Sequence, residues 1–276
     1  MIISTNKGGL SNRIKSLVSC LRFGSENNME SKVYWEILNS YKTHYHLLNC
    51  PFFKLFSNNI EINSLQNIDY YNYSSHCLMV FDSDNLPDNF DTYDKKNAKY
   101  TPSDKRGRNI DFNYTKIPNL VIKNYIVYFK QLKPIKEIQN NINEFSKKFN
   151  SNTISVHIRS WSGPNENSRN KSLFKNGVKR FENKMNEYKE CTFFLATDSQ
   201  DVKDYFKNKS NLKDRILCYP RKTNLKNSRE NELGVQEDLI ELYLLSKNKV
   251  IIGSHNSTYT EVAWWLAGCP ENIFIL

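Results

Sequence analysis

The chain has 276 residues, of which 39% are hydrophobic and 13% aromatic, a globular composition that suffices for one large α/β domain or two smaller ones. No apolar run approaches the ~20 residues that a membrane-spanning helix requires, and the strand-like N-terminus leaves no room for a signal peptide, so a cytoplasmic location is expected. The formal net charge of +10 fits an anionic partner such as a nucleotide, an acidic glycan, nucleic acid or a membrane surface.

The first half of the chain begins with a strand–helix–strand pattern. A predicted strand at residues 2–5 is followed by a two-glycine turn and by a helix over residues 11–27, in which Ser11 is a natural N-cap. A second strand over residues 32–37 completes the pattern. This is the βαβ beginning of an α/β lobe.

The rest of this half is less regular. Residues 49–117 are rich in Asn, Asp, Ser and Tyr and have weak periodicity, which favours long loops and a site for an acceptor. The aromatic run at residues 125–129 is interpreted as a strand that closes the half. We therefore expect an N-terminal α/β lobe over residues 1–131, on the acceptor side, and a C-terminal lobe over residues 132–276.

The second half alternates between strand and helix patterns. Strands are predicted at residues 153–159, 192–198, 215–219, 249–254 and 273–276, and helices near residues 134–149, 172–188, 201–207, 237–247 and 258–267. Short, fully apolar strands in such an alternation argue for a parallel sheet covered by helices on both faces. Ligands of such sheets bind at the carboxyl ends of the strands, and three of these strands end in polar motifs.

The first two motifs end neighbouring strand patterns. His157 and Arg159 are two residues apart, so their side chains point to the same side of a strand, and an arginine there can bind a diphosphate through two hydrogen bonds. The alternative is a buried histidine beside an arginine in an ordinary salt bridge. Asp198 and Ser199 end the next apolar strand, where both are also ordinary helix N-caps. A functional Asp198 would support the loops of the cleft.

The third motif runs from a strand into a helix at residues 251–261. Its glycine, serines and threonines stand where free backbone N–H groups and the helix dipole face an anion, an arrangement that makes a phosphate cradle. The pattern is only moderately specific, because the capping boxes of ordinary helices look similar.

Taken in order, these motifs and the N-terminal turn resemble a known family. The segments are Gly8-Gly9-Leu10-Ser11-Asn12-Arg13, His157-Ile158-Arg159, Ala196-Thr197-Asp198 and residues 253–260. Their order resembles that of the fucosyltransferase superfamily, which includes the α1,6-, α1,2- and protein O-fucosyltransferases. The resemblance implies two Rossmann-like lobes of the GT-B type, GDP-fucose as the donor, a glycan acceptor, inversion at the anomeric carbon, and neither a metal nor another cofactor.

The resemblance also implies roles for single residues. Arg159 matches the arginine that holds the β-phosphate and helps GDP to leave, and His157 matches its partner beneath the nucleotide. Ser257, Thr258 and Tyr259 match the phosphate-binding turn.

Further donor-binding positions follow from the same resemblance. Asn12 matches an asparagine that faces the cleft from the N-terminal turn, with Arg13 beside it, and Asp198 supports the donor site. Glu241 aligns with the acid that reads guanine, and Asp238, one helical turn earlier, is the alternative. A carboxylate suits guanine because it can accept hydrogen bonds from both the ring N–H and the amino group. Otherwise the two acids lie on an exposed helix face.

The first motif departs from the family pattern. Many members read His-x-Arg-Arg-x-Asp, whereas here Ser160 and Ser162 stand in place of the second Arg and the Asp, so the subfamily and the acceptor stay open. Glu166 follows near the position of the candidate base of the α1,6-type enzymes, and we expect it to take the proton of the acceptor hydroxyl. Asp198 and Glu261 are the alternatives, and Glu166 could otherwise be a solvated loop acid.

Other functions and partners are also considered. A transferase of the same fold could use another nucleotide sugar such as GDP-mannose, because nothing in the sequence reads the sugar ring. A nucleic-acid-binding protein, or a nucleotide-binding protein without catalysis, is the alternative from another class. Clustered basic residues would favour nucleic acid, but acids are interspersed throughout, so none is expected. No obligate protein partner is evident, and peripheral contact with a membrane is left open.

Overall fold

The structure is a computed structural model. It describes residues 1–37, 48–85, 108–110, 117–160 and 177–276. These residues form two compact units, Met1–Ile135 and Lys136–Leu276, and each unit contains a parallel sheet with helices packed beside it. The mixed α/β class that the alternating patterns predict is confirmed. Within the described ranges, every helix falls short of the length or the apolar character needed to span a bilayer.

The first unit is built on a short parallel sheet. Its elements are β1 (Ile2–Ser4), α1 (Leu10–Glu26), β2 (Ser31–Val33), β3 (Tyr71–Tyr73), β4 (Leu78–Val80), β5 (Arg108–Ile110) and α2 (Asn119–Gln131). Strands β2, β1 and β3 pair in this order and run parallel, and β4 pairs with β5 in an antiparallel ladder. Helix α1 packs against β1 and β2, and its Cys20 and Phe23 join Ile2 and Tyr73 in a small core. The predicted strand–helix–strand beginning is confirmed.

The aromatic run at residues 125–129 is part of helix α2, so its interpretation as a strand is wrong. Val121, Tyr125 and Phe129 recur every four residues and are all buried. The bulky side chains that favour a strand by propensity therefore form one buried face of a helix.

The predicted N-cap of helix α1 is also wrong. The helix begins at Leu10 after Gly9, which caps it without a side-chain hydrogen bond. Ser11 consequently lies inside the first turn, and its buried hydroxyl has no hydrogen-bond partner among the described residues.

The second unit contains a five-stranded parallel sheet. Its elements are α3 (Lys136–Ser146), β6 (Thr153–Ile158), α4 (Gly177–Asn186), β7 (Thr192–Thr197), α5 (Gln200–Asp204), β8 (Ile216–Leu217), α6 (Glu232–Leu245), β9 (Val250–Gly253), α7 (Thr258–Leu266) and β10 (Asn272–Ile275). The strands pair in the order β10, β9, β6, β7 and β8. Because they run parallel, their carboxyl ends lie along one edge. The predicted alternation is confirmed, although α6 begins at Glu232 and so extends further toward the N-terminus than expected.

The two faces of β6 have different neighbours. Val156 and Ile158 point into a hydrophobic core shared with α4 and β7. The alternate residues Ser155 and His157 face the other side of the sheet, where the Ser155 hydroxyl donates to the carbonyl of Leu245 at the end of α6 (2.6 Å). Because side chains alternate between the two faces of a strand, His157 points toward the helix that begins at the third motif and the helix that carries Asp238 and Glu241.

Candidate functional site

Three polar motifs meet at the carboxyl edge of the five-stranded sheet. Strands β6, β7 and β9 are neighbours, and His157 near the end of β6 is in register with the ends of the other two. The residues that follow these strands, Arg159, Asp198 and Ser254, therefore come into direct contact. Segments that are far apart in the sequence are brought together by the order of the strands.

Asp198 holds the end of β6. The guanidinium of Arg159 donates to one of its carboxylate oxygens, and the backbone N–H of Ser160 donates to the other at 2.7 Å. The side chains of Arg159 and Asp198 are 19% and 23% exposed, so solvent screens this ion pair only in part. The pair fixes the direction of the guanidinium.

Ser254, which the sequence analysis placed only within the phosphate-binding motif, joins β6 to β9. The backbone N–H of Arg159 donates to the hydroxyl oxygen of Ser254 at 2.8 Å, and that hydroxyl donates to the carbonyl of His157 at 3.3 Å. Its sequence signal is weak, namely a small hydroxyl residue directly after an apolar strand. The contact links the first and third motifs.

His157 is buried against helix α7. This burial agrees with the alternative interpretation of the sequence, in which a buried histidine lies beside an arginine in a salt bridge. Its Nδ1 lies 2.7 Å from the hydroxyl oxygen of Thr260, and its ring centre is 4.8 Å from that of Tyr259. Burial lowers the pKa of His157 from 6.5 to about 4, with smaller effects of Asp198, which raises it, and Arg159, which lowers it. The imidazole is therefore neutral near pH 7, and Arg159 supplies the positive charge at this edge.

The buried imidazole makes the stability of the fold depend on pH. The unfolded chain binds a proton at this histidine below about pH 6.5, whereas the folded chain binds it only below about pH 4. Stability therefore falls as the pH decreases from 6.5 toward 4. We expect the wild type to lose about 2 kcal/mol more between pH 7 and pH 5 than a His157→Gln variant. Urea unfolding at both pH values measures this difference, and equal losses would contradict it.

Helix α7 begins at the third motif. The hydroxyl oxygen of Ser257 accepts from the backbone N–H of Thr260 at 3.4 Å and so caps the helix, and Asn256 before it has a left-handed backbone (φ 51°). The backbone N–H groups of Thr258 and Tyr259 belong to the first turn, where a helix provides no internal acceptors. An anion there would meet these N–H groups and the positive end of the helix dipole.

A glycine allows α7 to approach β9. A Cβ atom at Gly253 would lie 2.1 Å from Cγ2 of Thr260, which is far inside contact distance, and Thr260 is fully buried. The close approach keeps the hydroxyl of Thr260 beside His157.

Gly253→Ala is therefore expected to lower the free energy of unfolding by about 1–3 kcal/mol through overpacking. Thr260→Ser removes the obstructing methyl group and keeps the hydroxyl, so the double variant should lose less than the sum of the single variants. Denaturant unfolding of the four proteins gives the coupling free energy. Strictly additive losses would exclude the steric cause.

The two acids expected to read a base lie on helix α6, next to α7. The hydroxyl of Tyr259 donates to the backbone carbonyl of Asp238 at 2.5 Å, while the ring of this tyrosine packs on His157. One side chain therefore connects the first motif to the helix that carries both acids. Glu241 is 5% exposed, so its placement on an exposed helix face is wrong, because α6 packs against β6, β7 and α7.

An arginine that the sequence analysis did not single out binds both acids. Nη1 of Arg221 donates to Asp238 at 2.8 Å and to Glu241 at 2.7 Å, and its side chain is 2% exposed. Burial raises the pKa of Glu241 to about 7, and the charge of Arg221 opposes this rise. For Arg221 itself, burial lowers the pKa, but the two carboxylates outweigh burial and raise it on balance.

The other expected donor-binding residues lie in the first unit. Asn12 is partly exposed in the first turn of α1. Arg13 is 1% exposed; it donates to the carbonyls of Gly8 and Glu36 at 2.8 Å each, and its guanidinium lies 5.0 Å from the ring centre of Trp35. Burial lowers the pKa of Arg13 to about 10 against the opposing charge of Glu36. Arg13 thus holds the glycine turn, and a donor contact of Asn12 or Arg13 stays a prediction.

The predicted base, Glu166, lies outside the described residues. Of its two alternatives, Asp198 uses both carboxylate oxygens at the end of β6. Glu261 is buried within α7, where it accepts from Nε1 of Trp265 at 3.4 Å. Both of these carboxylates are already engaged in the fold, so the role of base stays with Glu166 as a prediction.

A metal site could in principle be built on an Asp-x-Asp sequence, since two carboxylates can share a divalent cation. The chain contains one, Asp82-Ser83-Asp84, but both oxygens of Asp84 accept from the buried Arg22, at 2.6 and 3.0 Å. Over the part of the chain that the structure describes, no group of three or more His, Cys, Asp and Glu residues is arranged to hold a metal. Metal independence stays a prediction.

Comparison with solved structures finds the same fold along nearly the whole chain. A NodZ α-1,6-fucosyltransferase soaked with GDP-fucose is 17% identical, with a TM-score of 0.56 over 96% of this chain and 91% of that chain. A fucosyltransferase NodZ from Bradyrhizobium is 18% identical, with a TM-score of 0.56 over 95% of this chain and 91% of that chain. A mutant of Arabidopsis thaliana FUT1 in complex with GDP is 13% identical, with a TM-score of 0.51 over 99% of this chain and 69% of that chain. No protein-family model and no curated protein matches the chain. The chain therefore has a fucosyltransferase-like fold.

Proposed function

We propose that the chain is an inverting fucosyltransferase that transfers fucose from GDP-fucose to a hydroxyl of a glycan or glycoconjugate, without a metal or another cofactor. The observation that carries the proposal is the meeting of Arg159 with the segment that leads into α7, joined through Ser254 at one edge of the sheet. The fold supports it, because the solved structures with this fold include one soaked with GDP-fucose and one in complex with GDP.

The donor diphosphate would lie between Arg159 and the turn at residues 257–259. The guanidinium can give two hydrogen bonds to phosphate oxygens, and the first turn of α7 adds N–H groups and partial positive charge. Negative charge grows on GDP as the bond to the sugar breaks, so donors held in place stabilise the transition state more than the ground state. Arg159 thus does what a divalent cation does in metal-dependent transfer.

Glu241 is better placed than Asp238 to read guanine. Both carboxylate oxygens of Asp238 already accept hydrogen bonds, one from Arg221 and one from the Ser228 hydroxyl at 3.1 Å. Glu241 binds Arg221 through Oε2, and within the described residues no donor bonds to its Oε1. An ionised carboxylate with an oxygen to spare can accept from the ring N–H and the amino group of guanine.

The transfer would be a single displacement. The acceptor hydroxyl attacks C1 of fucose from the side opposite GDP, the bond between C1 and the phosphate oxygen breaks, and the configuration at C1 inverts. Glu166 takes the hydroxyl proton while the new bond forms. Asp198 keeps the guanidinium of Arg159 directed at the leaving phosphate.

Release of GDP tests this function. The protein is incubated with a panel of glycan acceptors and GDP-fucose, GDP-mannose or a UDP-sugar, with and without EDTA, and both GDP and the glycosylated product are measured. We expect turnover with GDP-fucose that survives EDTA. Turnover of GDP-mannose instead identifies the alternative donor, and GDP binding without turnover identifies a nucleotide-binding protein without catalysis. A protein that binds no GDP refutes the proposal.

A further inference from the structure

One buried arginine meets three acids in the second unit. Arg221 follows β8, and helix α6 presents Glu237, Asp238 and Glu241 to it. Besides its bonds to Asp238 and Glu241, its Nε lies 3.5 Å from a carboxylate oxygen of Glu237, and its Nη2 donates to the carbonyl of Gly234 at 3.0 Å. The guanidinium is therefore fixed on several sides.

The three acids have different surroundings. Glu237 accepts from the backbone N–H groups of Lys222 at 2.6 Å and Thr223 at 3.2 Å, and from the Thr223 hydroxyl. It thereby ties down the loop that carries Arg221. Glu241 differs, because it bonds to Arg221 through Oε2 alone and keeps Oε1 without a donor among the described residues. Glu237 thus holds the loop, the loop holds Arg221, and Arg221 holds Glu241 through Oε2, so that Oε1 of Glu241 is left to accept a further hydrogen bond.

The cluster also has an excess of negative charge, with one guanidinium for three carboxylates. Burial raises the pKa of Glu241 to about 7, and Arg221 is the foremost of the groups that oppose this rise. Without the guanidinium, the buried carboxyl group would hold its proton at neutral pH. Its O–H would then meet the ring N–H of guanine, donor against donor.

Few other groups would titrate in the same range. The charged or titratable groups that act on Glu241, or on which it acts, include Asp238 on α6 itself and, from other elements, Arg221, Lys203, Cys218, Tyr219 and Tyr259. Burial raises the pKa of the Cys218 thiol to about 11 and raises the pKa values of both tyrosines. These three groups therefore stay neutral at neutral and mildly alkaline pH.

We propose that Arg221 is a positioning residue for base recognition: it fixes the orientation of Glu241 and keeps its carboxylate ionised, so that Oε1 can accept from the base. The inference rests on the proposed use of a guanine nucleotide. Arg221 acts through Glu241 and does not touch the reacting sugar.

The test is calorimetric titration with GDP at several pH values from about 6.5 to about 8.5, for the wild type, Arg221→Met and Arg221→Lys. In Arg221→Met, the midpoint pH below which GDP affinity is lost should rise by about one pH unit or more, because the positive charge that favours the ionised carboxylate of Glu241 is gone. Arg221→Lys keeps the charge and loses the planar fork. Its midpoint should stay near that of the wild type, while its affinity at the highest pH falls about ten-fold.

A purely structural role predicts a different result. GDP affinity of Arg221→Met would then fall by the same factor at every pH, which overturns the inference. The shift should also vanish in Arg221→Met/Glu241→Gln, and a shift that persists without the carboxylate overturns it as well. Thermal unfolding identifies a variant that does not fold. If Arg221→Met is such a variant, Arg221→Lys decides, and an unchanged GDP affinity contradicts the inference.

The proposed function and the role of Arg221 can be refuted separately. A wild type that does not bind GDP refutes the proposed function and the role of Arg221 with it. A wild type that binds GDP, beside an Arg221→Met variant with an unshifted pH profile, refutes the role of Arg221 alone.

Discussion

Arg159→Ala is expected to lower kcat for fucosyl transfer by roughly 10²–10³-fold, the loss typical of removing one fixed donor from a developing negative charge. The guanidinium is already directed by Asp198, so little reorganisation would be needed as charge grows on GDP in the proposed reaction. Because this ion pair is mostly shielded from solvent and Asp198 would lose its charged partner, the free energy of unfolding should fall by about 1–3 kcal/mol. Steady-state release of GDP measures the first effect, and urea unfolding measures the second.

Arg180→Ala is the matched control for this variant. It removes the same charge from an exposed position on helix α4, so it reports the general effect of net charge on an anionic donor. We expect it to keep nearly all of the turnover. Near-normal transfer by Arg159→Ala, or an equal loss in both variants, would remove Arg159 from the mechanism.

Glu241→Gln is expected to weaken GDP binding about 10–100-fold, because charge-assisted hydrogen bonds of this kind contribute about 1.5–3 kcal/mol. The amide nitrogen of glutamine is a donor, and it would oppose one of the N–H groups of guanine. The preference for GDP over IDP should also narrow, since IDP lacks the amino group from which the carboxylate would accept a hydrogen bond. Calorimetry with GDP, IDP and ADP measures both changes.

Asp238→Asn distinguishes whether Asp238 or Glu241 binds the base. The variant keeps the shape of the side chain that hydrogen-bonds to Arg221 and Ser228, and we expect it to leave the preference for GDP over IDP nearly intact. The opposite pattern, with discrimination lost in Asp238→Asn and kept in Glu241→Gln, would transfer base reading to Asp238. If both variants keep the preference for GDP over IDP, the base binds to neither of these two acids.

Much of the second unit can be predicted from the sequence because its central strands are buried on both faces. Residues 193–196 and 250–252 are continuous apolar runs, and the helical segments that follow them break this pattern. Parallel strands end at a common edge, so the polar residues after the strands, Arg159, Asp198 and Ser254, can be assigned to one place before the structure is known. Their bonding pattern cannot be assigned in this way.

The contacts that could not be predicted depend on tertiary structure. Arg221 follows a strand of two residues, and its acids lie on a later helix, so no local pattern connects them. In α2, Tyr125 and Phe129 fit a strand by propensity and a helix by period, and the buried face that they share with Val121 decides for the helix. Ser11 has the chemistry of a cap, but the helix starts one residue earlier.

The Ser254 hydroxyl accepts from the N–H of Arg159 and donates to the carbonyl of His157, and these two bonds connect the end of β6 to the residues that lead into α7. If the donor binds at this edge as proposed, widening the edge to admit a bulkier sugar would break both bonds and turn the guanidinium away from the phosphates. Substitutions intended to change the donor preference should therefore leave the Ser254 contacts unchanged and alter side chains around the sugar instead.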